Sequence, residues 1–242
     1  MRTDTVGRLM ALTGALALTG VVACGDAGSA PAGADAGPGT GVNPDGVAYP
    51  SPASGYGHTP RSGSTPGSVI QNFKFQGRLA GSTKVTTISL ADYYDPCNKR
   101  YKILHLSVGA VWCQPCSQET TAVVTDLGSS SSALKASEIV YVQALDDGPT
   151  AGTPATLSDL NYWIQSHSSN FTEVIDPGLQ NLGGFFNAAG IPWNADIDVR
   201  TMEMLTSSEG WNYPDVKPAV AAAVAALPSA PSYPIPASAG CK

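Results

Sequence analysis

The sequence predicts an α/β sandwich built on a central mixed β-sheet, and three observations support this prediction. Two apolar runs, at 103–108 and 139–145, have the composition of strands that are buried on both faces. Segments with apolar residues at helical spacing lie between and after these runs. Glycine and proline, which number 26 and 19 among the 242 residues, concentrate near the two ends of the chain and leave a folded core at about 67–228.

Composition excludes several classes of protein. The chain has 13 Lys and Arg against 19 Asp and Glu, a net charge of −6, so it lacks the basic surface that nucleic-acid binding requires. Charged residues make up only 13% of the chain, which together with the glycine and proline content argues against a coiled coil. No internal apolar run approaches the ~18 residues of a membrane-spanning helix.

The strands can be assigned in chain order. Apolar residues within 69–75 and 85–90, with a turn at Gly81, predict an N-terminal β-hairpin. The two buried strands named above follow. A second hairpin, formed by 195–199 and 202–205, completes the predicted sheet.

Four helices are predicted around this sheet. The first follows the central strand and carries Val123, Val124 and Leu127 on one face. The second has Ser158 as its N-cap. The remaining two are expected at 179–188, after Asp176-Pro177, and at 215–227, which is rich in alanine.

The N-terminal segment, residues 1–23, has the features of a signal peptide, with Arg2 and Arg8 before an uncharged apolar stretch. It ends in Val-Val-Ala-Cys, which resembles the cleavage site of bacterial lipoproteins, so we expect Cys24 to be lipidated. The lipid would anchor the protein in the cell envelope, at the periplasmic face of a membrane or at the cell surface. The alternative is an ordinary secretory signal in which Cys24 is incidental.

Two segments outside the core are poor in large apolar residues. Residues 24–66 consist mostly of Gly, Ala, Pro, Ser, Asp and Thr and cannot bury enough surface to offset the entropy of ordering. They are therefore predicted to form a flexible tether. Residues 229–242 form a proline-rich C-terminal tail.

The motif Cys113-Gln114-Pro115-Cys116 lies where the central strand is predicted to run into a helix. A cysteine at a helix start meets unpaired backbone N–H groups and the positive end of the helix dipole, which favour its thiolate. Cys113 is therefore the expected nucleophile of disulfide exchange, and Cys116 the thiol that resolves the mixed disulfide. Pro115 lacks an N–H where none is needed, and Trp112 is expected to shield the pair from water.

The sequence Trp-Cys-x-Pro-Cys after an apolar strand resembles the thioredoxin superfamily, in particular the TlpA-like redoxins of the bacterial envelope. The resemblance covers about residues 67–228. It implies a thioredoxin-like three-layer sandwich with an N-terminal β-hairpin extension, and a thiol–disulfide oxidoreductase that needs no cofactor beyond its cysteine pair. Its partners would be protein thiol or disulfide clients and a membrane electron donor, and we expect a reductase rather than an oxidase.

The resemblance also assigns roles to individual residues. Glu119 matches the acidic residue of the active-site helix that assists proton transfer. Ile191 and Pro192 match the cis-proline loop, which binds substrate backbone. Trp112, Gln114 and Pro115 are the remaining residues expected to contact substrate.

Two positions depart from the family pattern. Ser107 stands six residues before the first cysteine of the motif, where cytoplasmic thioredoxins carry a buried acid, so proton transfer would fall to Glu119 or to water. Ser117 stands where a basic residue is frequent, which makes the helix start less positive.

Several alternatives remain open. Glu119 could be a carboxylate of the helix surface, and Pro192 an ordinary trans proline. The cysteine pair could be a structural disulfide in a non-catalytic surface lipoprotein that serves as a binding module, or half of a zinc site. We expect no metal, because zinc needs about four ligands and the other cysteines are distant in sequence. His105, in the central strand, is expected to be a buried histidine with satisfied hydrogen bonds.

Two cysteines remain after Cys24 and the motif. In an oxidising envelope, Cys97 and Cys241 would pair and hold the tail against the domain. Two free or intermolecular thiols are the alternative, and so is exchange between Cys97 and the active pair.

Overall fold

The computed structural model describes residues 41–50, 67–186 and 190–241. The predicted signal peptide, the lipidation site Cys24 and much of the predicted tether lie outside these residues. No helix among the described residues has the length and apolar character needed to cross a bilayer.

Seven strands form one mixed sheet. They are β1 (Lys74–Arg78), β2 (Val85–Ser89), β3 (Ile103–Gly109), β4 (Ile139–Leu145), β5 (Thr172–Ile175), β6 (Trp193–Asp198) and β7 (Glu203–Glu209). Their order is β2-β1-β5-β4-β3-β6-β7. Strands β3, β4 and β5 are parallel, and antiparallel pairs extend the sheet at both edges.

The described residues contain four α-helices: α1 (Gln114–Gly128), α2 (Ala133–Ala136), α3 (Leu157–His167) and α4 (Lys217–Ala226), of which the last follows β7. Side chains of α1, α2 and α4 share one apolar cluster with Ile103 and Ile139, and α3 packs on the same face through Trp163, which contacts Gln143. The other face, which presents Leu104 and Leu106, is covered by 3-10 helices, loops and the C-terminal tail. The predicted α/β fold, with a central mixed sheet and an N-terminal β-hairpin, is confirmed.

The third predicted helix, at 179–188, is wrong for the residues the structure describes. A 3-10 turn at Pro177–Leu179 is followed by further turns up to residue 186. Gly178 and Leu179 have φ of 61° and 59°, which an α-helix cannot contain. The Asp176 carboxylate accepts hydrogen bonds from the backbone N–H groups of Asn181 and Leu182 and thereby fixes a turn.

Two further differences concern α3 and β5. Helix α3 begins after Thr156 rather than Ser158, because Thr156 and Asp159 form a reciprocal capping box. Strand β5 was not predicted, since it has only four residues and carries a buried glutamate, Glu173. Gly77 in β1 lets this strand approach closely, because a Cβ there would lie 2.4 Å from the Glu173 carbonyl oxygen.

Part of the segment predicted as a flexible tether is packed on the domain. Val47 and Tyr49 belong to the main apolar core. The Tyr49 hydroxyl donates to the Ile70 carbonyl at 2.9 Å, and the Asn43 side chain donates to the Tyr94 carbonyl at 3.0 Å. Composition concealed this contact because two large side chains in ten residues barely alter the average.

Candidate active site

The cysteine motif lies at the junction of β3 and α1. Cys113 is the N-cap of α1, and its sulfur accepts a hydrogen bond from the Cys116 N–H at 3.2 Å. The two sulfur atoms form a disulfide bond. Pro115 lies in the first helical turn, where its missing N–H leaves no bond unmade. The pair therefore lies at the end of α1 that favours a negative sulfur.

Gly109, the last residue of β3, is required for this arrangement. A Cβ on Gly109 would lie 3.0 Å from Cβ of Cys116 and 3.3 Å from its sulfur. A side chain at this position would thus displace the second cysteine. Cys116 is fully buried, and Cys113 is 2% exposed.

The loop before β6 lies against the first cysteine. The Ile191–Pro192 peptide bond is cis, so the trans alternative is wrong. The Ile191 carbonyl oxygen is 3.9 Å from the Cys113 sulfur. The structure thus brings together the motif and a loop that is about 75 residues further along the chain.

Trp112 stands at the rim of the site. It is 44% exposed, and its indole N–H donates to an Asp147 carboxylate oxygen at 3.3 Å. This bond fixes the orientation of a ring that remains partly exposed to solvent. An exposed indole ring beside the cysteine pair is suited to contact with a partner.

A cleft of about 890 Å³ begins at Gln114 and runs along α1 to the segment before α4. Trp211 and Tyr213 line its far side, with their rings edge to face at 5.2 Å. Hydroxyl and amide side chains of α1 line the near side. The cleft is lined by both polar and aromatic side chains, which suits an extended peptide better than a small apolar ligand.

Glu119 is not a surface residue, so that alternative is wrong. It lies on the same helix as Cys116, one turn further on, and is fully buried. One carboxylate oxygen accepts hydrogen bonds from the hydroxyl groups of Ser107, at 2.7 Å, and Tyr141. The other accepts from the Asn194 amide at 3.1 Å. Ser107, at the position of the absent acid, thus donates to the acid that α1 supplies.

Two opposing effects act on this carboxyl group. Burial raises the pKa of Glu119, because the charged form loses its hydration. The hydrogen bonds from Tyr141, Ser107 and Asn194 and the nearby His105 favour the charged form but do not cancel the effect of burial. The pKa of Glu119 remains above its usual value of 4.5, which brings its titration closer to neutral pH.

The donors around Glu119 belong to a larger feature that we call the polar face. Its six side chains occupy one face of three adjacent strands. In β3 and β4, His105 faces Tyr141 and Ser107 faces Gln143; in β6, Asp196 and Asn194 face His105 and Ser107. All six residues are buried. Helix α1 packs against this face and places Glu119 in contact with it.

Most of the polar face was not predicted from the sequence, although the sequence contains a signal for it. Strands β3 and β4 each carry two polar residues separated by one apolar residue, and β6 carries three polar residues at the same alternate spacing. Residues at i and i+2 share one face of a strand, so each pair marks a polar strip. The strips form one surface only if the strands are adjacent and in register, which no local pattern shows.

Gln143 links the polar face to the second cysteine. Its side-chain oxygen accepts from Thr120 at 2.9 Å and from the Trp163 indole at 3.0 Å. Its side-chain nitrogen has no hydrogen-bond partner among the described residues. That nitrogen and the Cys116 sulfur both lie within 3.6 Å of the position a Cβ on Gly109 would take.

Cys97 and Cys241 form the second disulfide. The structure therefore contains the expected pairing of these two cysteines, and not two free thiols. The tail that this bond holds is packed on the domain, since Tyr233 is buried and its hydroxyl donates to the Thr201 carbonyl. The Cys97 sulfur lies 3.6 Å from the Ala239 carbonyl oxygen. Each of the four cysteines of the two disulfides is thus bonded within its own pair.

The histidines and aspartates that could suggest a metal site have other contacts. His167 bonds to Ser117 on α1, and Asp176 organises a turn. Among the described residues, no group of three or more His, Cys, Asp and Glu side chains is arranged to hold a metal ion.

Comparison with known proteins gives structural neighbours only. No family model matches the sequence, and no curated protein matches it. The chain is similar to a candidate thiol:disulfide interchange protein DsbE from Chlorobium tepidum, with 21% identity over 70% of this chain and 100% of that one and a TM-score of 0.49. A candidate protein disulfide isomerase from Bacteroides thetaiotaomicron has 18% identity over 69% and 91%, with a TM-score of 0.49.

A DsbF homologue from Corynebacterium diphtheriae has 16% identity over 66% of this chain and 87% of that one, with a TM-score of 0.47. At these identities and TM-scores the likeness does not extend to activity. The function below is derived from the site itself.

Proposed function

We propose that this protein is an extracytoplasmic thiol–disulfide oxidoreductase that acts on protein clients, and that it works as a reductase rather than an oxidase. One observation carries the proposal: a Cys113–Cys116 disulfide at a helix start, facing the Ile191 carbonyl, with a buried acid one turn further on. The sulfur atoms themselves carry the electrons, so the exchange needs no bound cofactor.

In the reduced protein, the Cys113 thiolate attacks a client disulfide. A bond forms between Cys113 and one client sulfur, and the other client sulfur leaves as a thiolate that takes a proton from solvent. Cys116 then gives up its proton and attacks the Cys113 sulfur, which re-forms the internal disulfide and releases the second client thiol. Two electrons pass to the client, and a dithiol donor in the membrane would return them.

Glu119 would accept the proton that Cys116 releases. It lies one turn from Cys116 on the buried side of α1, and its pKa, raised by burial, makes it a stronger proton acceptor than an ordinary carboxylate. Ile191 and Pro192 would hold the client backbone against Cys113. Trp112, Gln114 and Pro115 would contact the client at the rim and in the cleft.

The location is the finer part of the proposal. The signal-like segment and the Val-Val-Ala-Cys sequence support lipidation at Cys24, which would hold the domain in the cell envelope at the periplasmic face of a membrane or at the cell surface. The Cys97–Cys241 disulfide supports an oxidising compartment.

A second candidate is a non-catalytic surface lipoprotein that keeps the fold as a binding module. The burial of both motif cysteines favours it, since neither is more than 2% exposed. In that case the Cys113–Cys116 bond would be structural and inert.

The reduction potential of the full-length protein separates these candidates. Equilibration in glutathione and dithiothreitol buffers, followed by alkylation and mass spectrometry, reports each pair of cysteines. A potential near or below about −250 mV at Cys113–Cys116 indicates a reductase, and one near about −120 mV a disulfide donor. A pair that stays oxidised in dithiothreitol while the protein is folded would establish the binding module instead.

The variant Cys116→Ser gives an independent test. It lacks the resolving thiol, so client proteins should accumulate as mixed disulfides on Cys113. The matched control is Cys97→Ser with Cys241→Ser, which leaves the motif intact and should trap nothing.

A further inference from the structure

His105 lies between two hydrogen-bond acceptors. Its Nδ1 is 2.8 Å from an Asp196 carboxylate oxygen, and its Nε2 is 2.8 Å from the Asn194 side-chain oxygen. The imidazole is stacked on the Tyr141 ring, with centroids 5.0 Å apart, and its side chain is nine-tenths buried. A neutral imidazole donates from one nitrogen only, so two acceptors call for the doubly protonated cation.

The orientation of the Asn194 amide depends on Glu119. Its nitrogen donates to a Glu119 oxygen at 3.1 Å, which turns its oxygen toward His105. The remaining contacts of Glu119 are also donors, from Ser107 and Tyr141, so the carboxylate accepts every bond it makes. The bonds therefore all run in one direction, from His105 through Asn194 to Glu119.

We propose that His105 is a positioning residue for the active-site acid: held as a cation by Asp196, it keeps Glu119 ionised and fixes its orientation through Asn194. This inference rests on the proposed function, because it concerns the acid that serves the Cys116 thiol. The arrangement is a buried row of an anion, a cation, an amide and a second anion, formed by Asp196, His105, Asn194 and Glu119 in that order.

Coupling between the two ends follows from the hydrogen bonds. When Glu119 takes a proton, the new O–H needs an acceptor, and the Asn194 oxygen can provide one only if the amide turns over. The amide nitrogen then faces His105 Nε2, which must give up its proton to accept. A proton gained by Glu119 thus favours loss of a proton from His105, and the charge of the row as a whole is conserved.

The other groups that face His105 agree with this assignment. The titratable ones are Asp196 on β6, Tyr141 on β4 and Glu119 on α1. Helices α2 and α4 present only apolar side chains to it, among them Leu134 and Val220. Burial lowers the pKa of His105, but the charge and hydrogen bond of Asp196, together with the charge of Glu119 and the Asn194 hydrogen bond, outweigh this and raise it to about 9.

The first test needs no variant. Nitrogen-15 NMR of the imidazole groups in the oxidised full-length protein should show both nitrogens of His105 protonated at pH 7, and a titration well above that of an ordinary histidine. A single protonated nitrogen at pH 7 would overturn the proposal. Because this measurement uses the disulfide form, it is independent of whether the pair proves to be redox-active.

The second test measures the coupling from both ends. Loss of the cation in His105→Gln should raise the pKa of Glu119, followed by the infrared band of its protonated carboxyl group, by about one unit or more. Loss of the anion in Glu119→Gln should lower the pKa of His105 by the same amount, because coupling is reciprocal. Unequal or absent shifts would contradict the proposal.

The control is His167→Gln. His167 also bonds to α1, through Ser117, but has no contact with Glu119, so the infrared titration should be unchanged. If His105→Gln does not fold, Asp196→Asn removes the anion that holds the cation and should lower the pKa of His105. If the NMR and infrared shifts appear but the cysteine pair is inert to reductants, the proposed function fails and the charge assignment stands. If the pair is redox-active but the shifts are absent, only the inference about His105 fails.

Discussion

Cys97–Cys241 and Cys113–Cys116 are the two disulfide bonds of the described residues, and they differ in span and in surroundings. The first joins residues 144 positions apart, and Cys241 is exposed to solvent. The second closes a ring over a separation of three, and neither cysteine is more than 2% exposed. Exposure alone would make the first bond the reactive one.

The groups around the two bonds favour the opposite order of reactivity. The Cys113 sulfur receives an N–H from the start of α1, and Glu119 lies one turn away with a raised pKa. Cys97 instead lies in a loop, against the carbonyl of Ala239 in the tail that it holds. Chemistry at sulfur depends on what stabilises a thiolate and what takes its proton, and these groups surround only the buried bond.

The largest contrast should appear in activity. Cys113→Ser removes the nucleophile, so we expect reduction of a model protein disulfide to fall at least about ten-thousandfold. The double variant Cys97→Ser, Cys241→Ser should keep nearly full activity at temperatures where it is folded. Initial rates of insulin reduction would compare the two. A large loss in the double variant would show that the outer bond takes part in exchange.

Stability should show the reverse contrast. Opening a loop of this length is expected to lower the free energy of unfolding by about 4–5 kcal/mol, because the unfolded chain gains entropy. Replacing both motif cysteines by Ser should cost much less, since their loop is short. Urea unfolding followed by circular dichroism measures both. Equal losses would mean that Cys97–Cys241 does not act as a staple.

The smallest of the three effects concerns the acid. Glu119→Gln should slow resolution of the mixed disulfide by about a hundredfold, which is the usual contribution of a general base. In the unmodified protein the rate should fall as pH drops through the pKa of Glu119, which lies above its usual value, because the protonated carboxyl cannot accept a proton. The variant should lose this dependence. Stopped-flow measurement of product release tests both points.

Glu138→Gln is the matched control for that experiment. Glu138 is a surface carboxylate paired with Lys102, and about half of each side chain is exposed. Its loss should leave the rate and its pH dependence unchanged. If both variants behave alike, the effect at Glu119 is one of overall charge and not of position.

Local features were predicted well from the sequence. The central strand, the helix start at Cys113 and the loop at Pro192 all lie where expected, because each is specified by residues within a few positions of one another. The wrong helix prediction also has a local cause. The helix expected at 179–188 has the right apolar residues, but Asp176 caps a turn and Gly178 takes a left-handed conformation.

Long-range features were the ones missed. Tyr49 belongs to the core through a bond to Ile70, which nothing in its own segment indicates. The polar strips of β3, β4 and β6 were visible as pairs, but their union into one face required the strand order. His105 was expected to be a buried histidine with satisfied hydrogen bonds, yet its place in a charged row with Glu119 was not foreseen.

The sequence by itself determined the candidate redox pair: two cysteines three positions apart, between a buried strand and a helix start that favours a thiolate. Only the tertiary structure decided what serves that pair. Glu119 and Ser107 stand on opposite sides of the motif in sequence, and they meet because β3 is packed against α1. Asn194 and His105 join them because the register of β3 against β6 places Ser107 opposite Asn194 and His105 opposite Asp196. A shift of β6 by one residue would turn its polar side chains to the other face of the sheet. That register is set by the packing of whole apolar faces, which no short stretch of sequence contains.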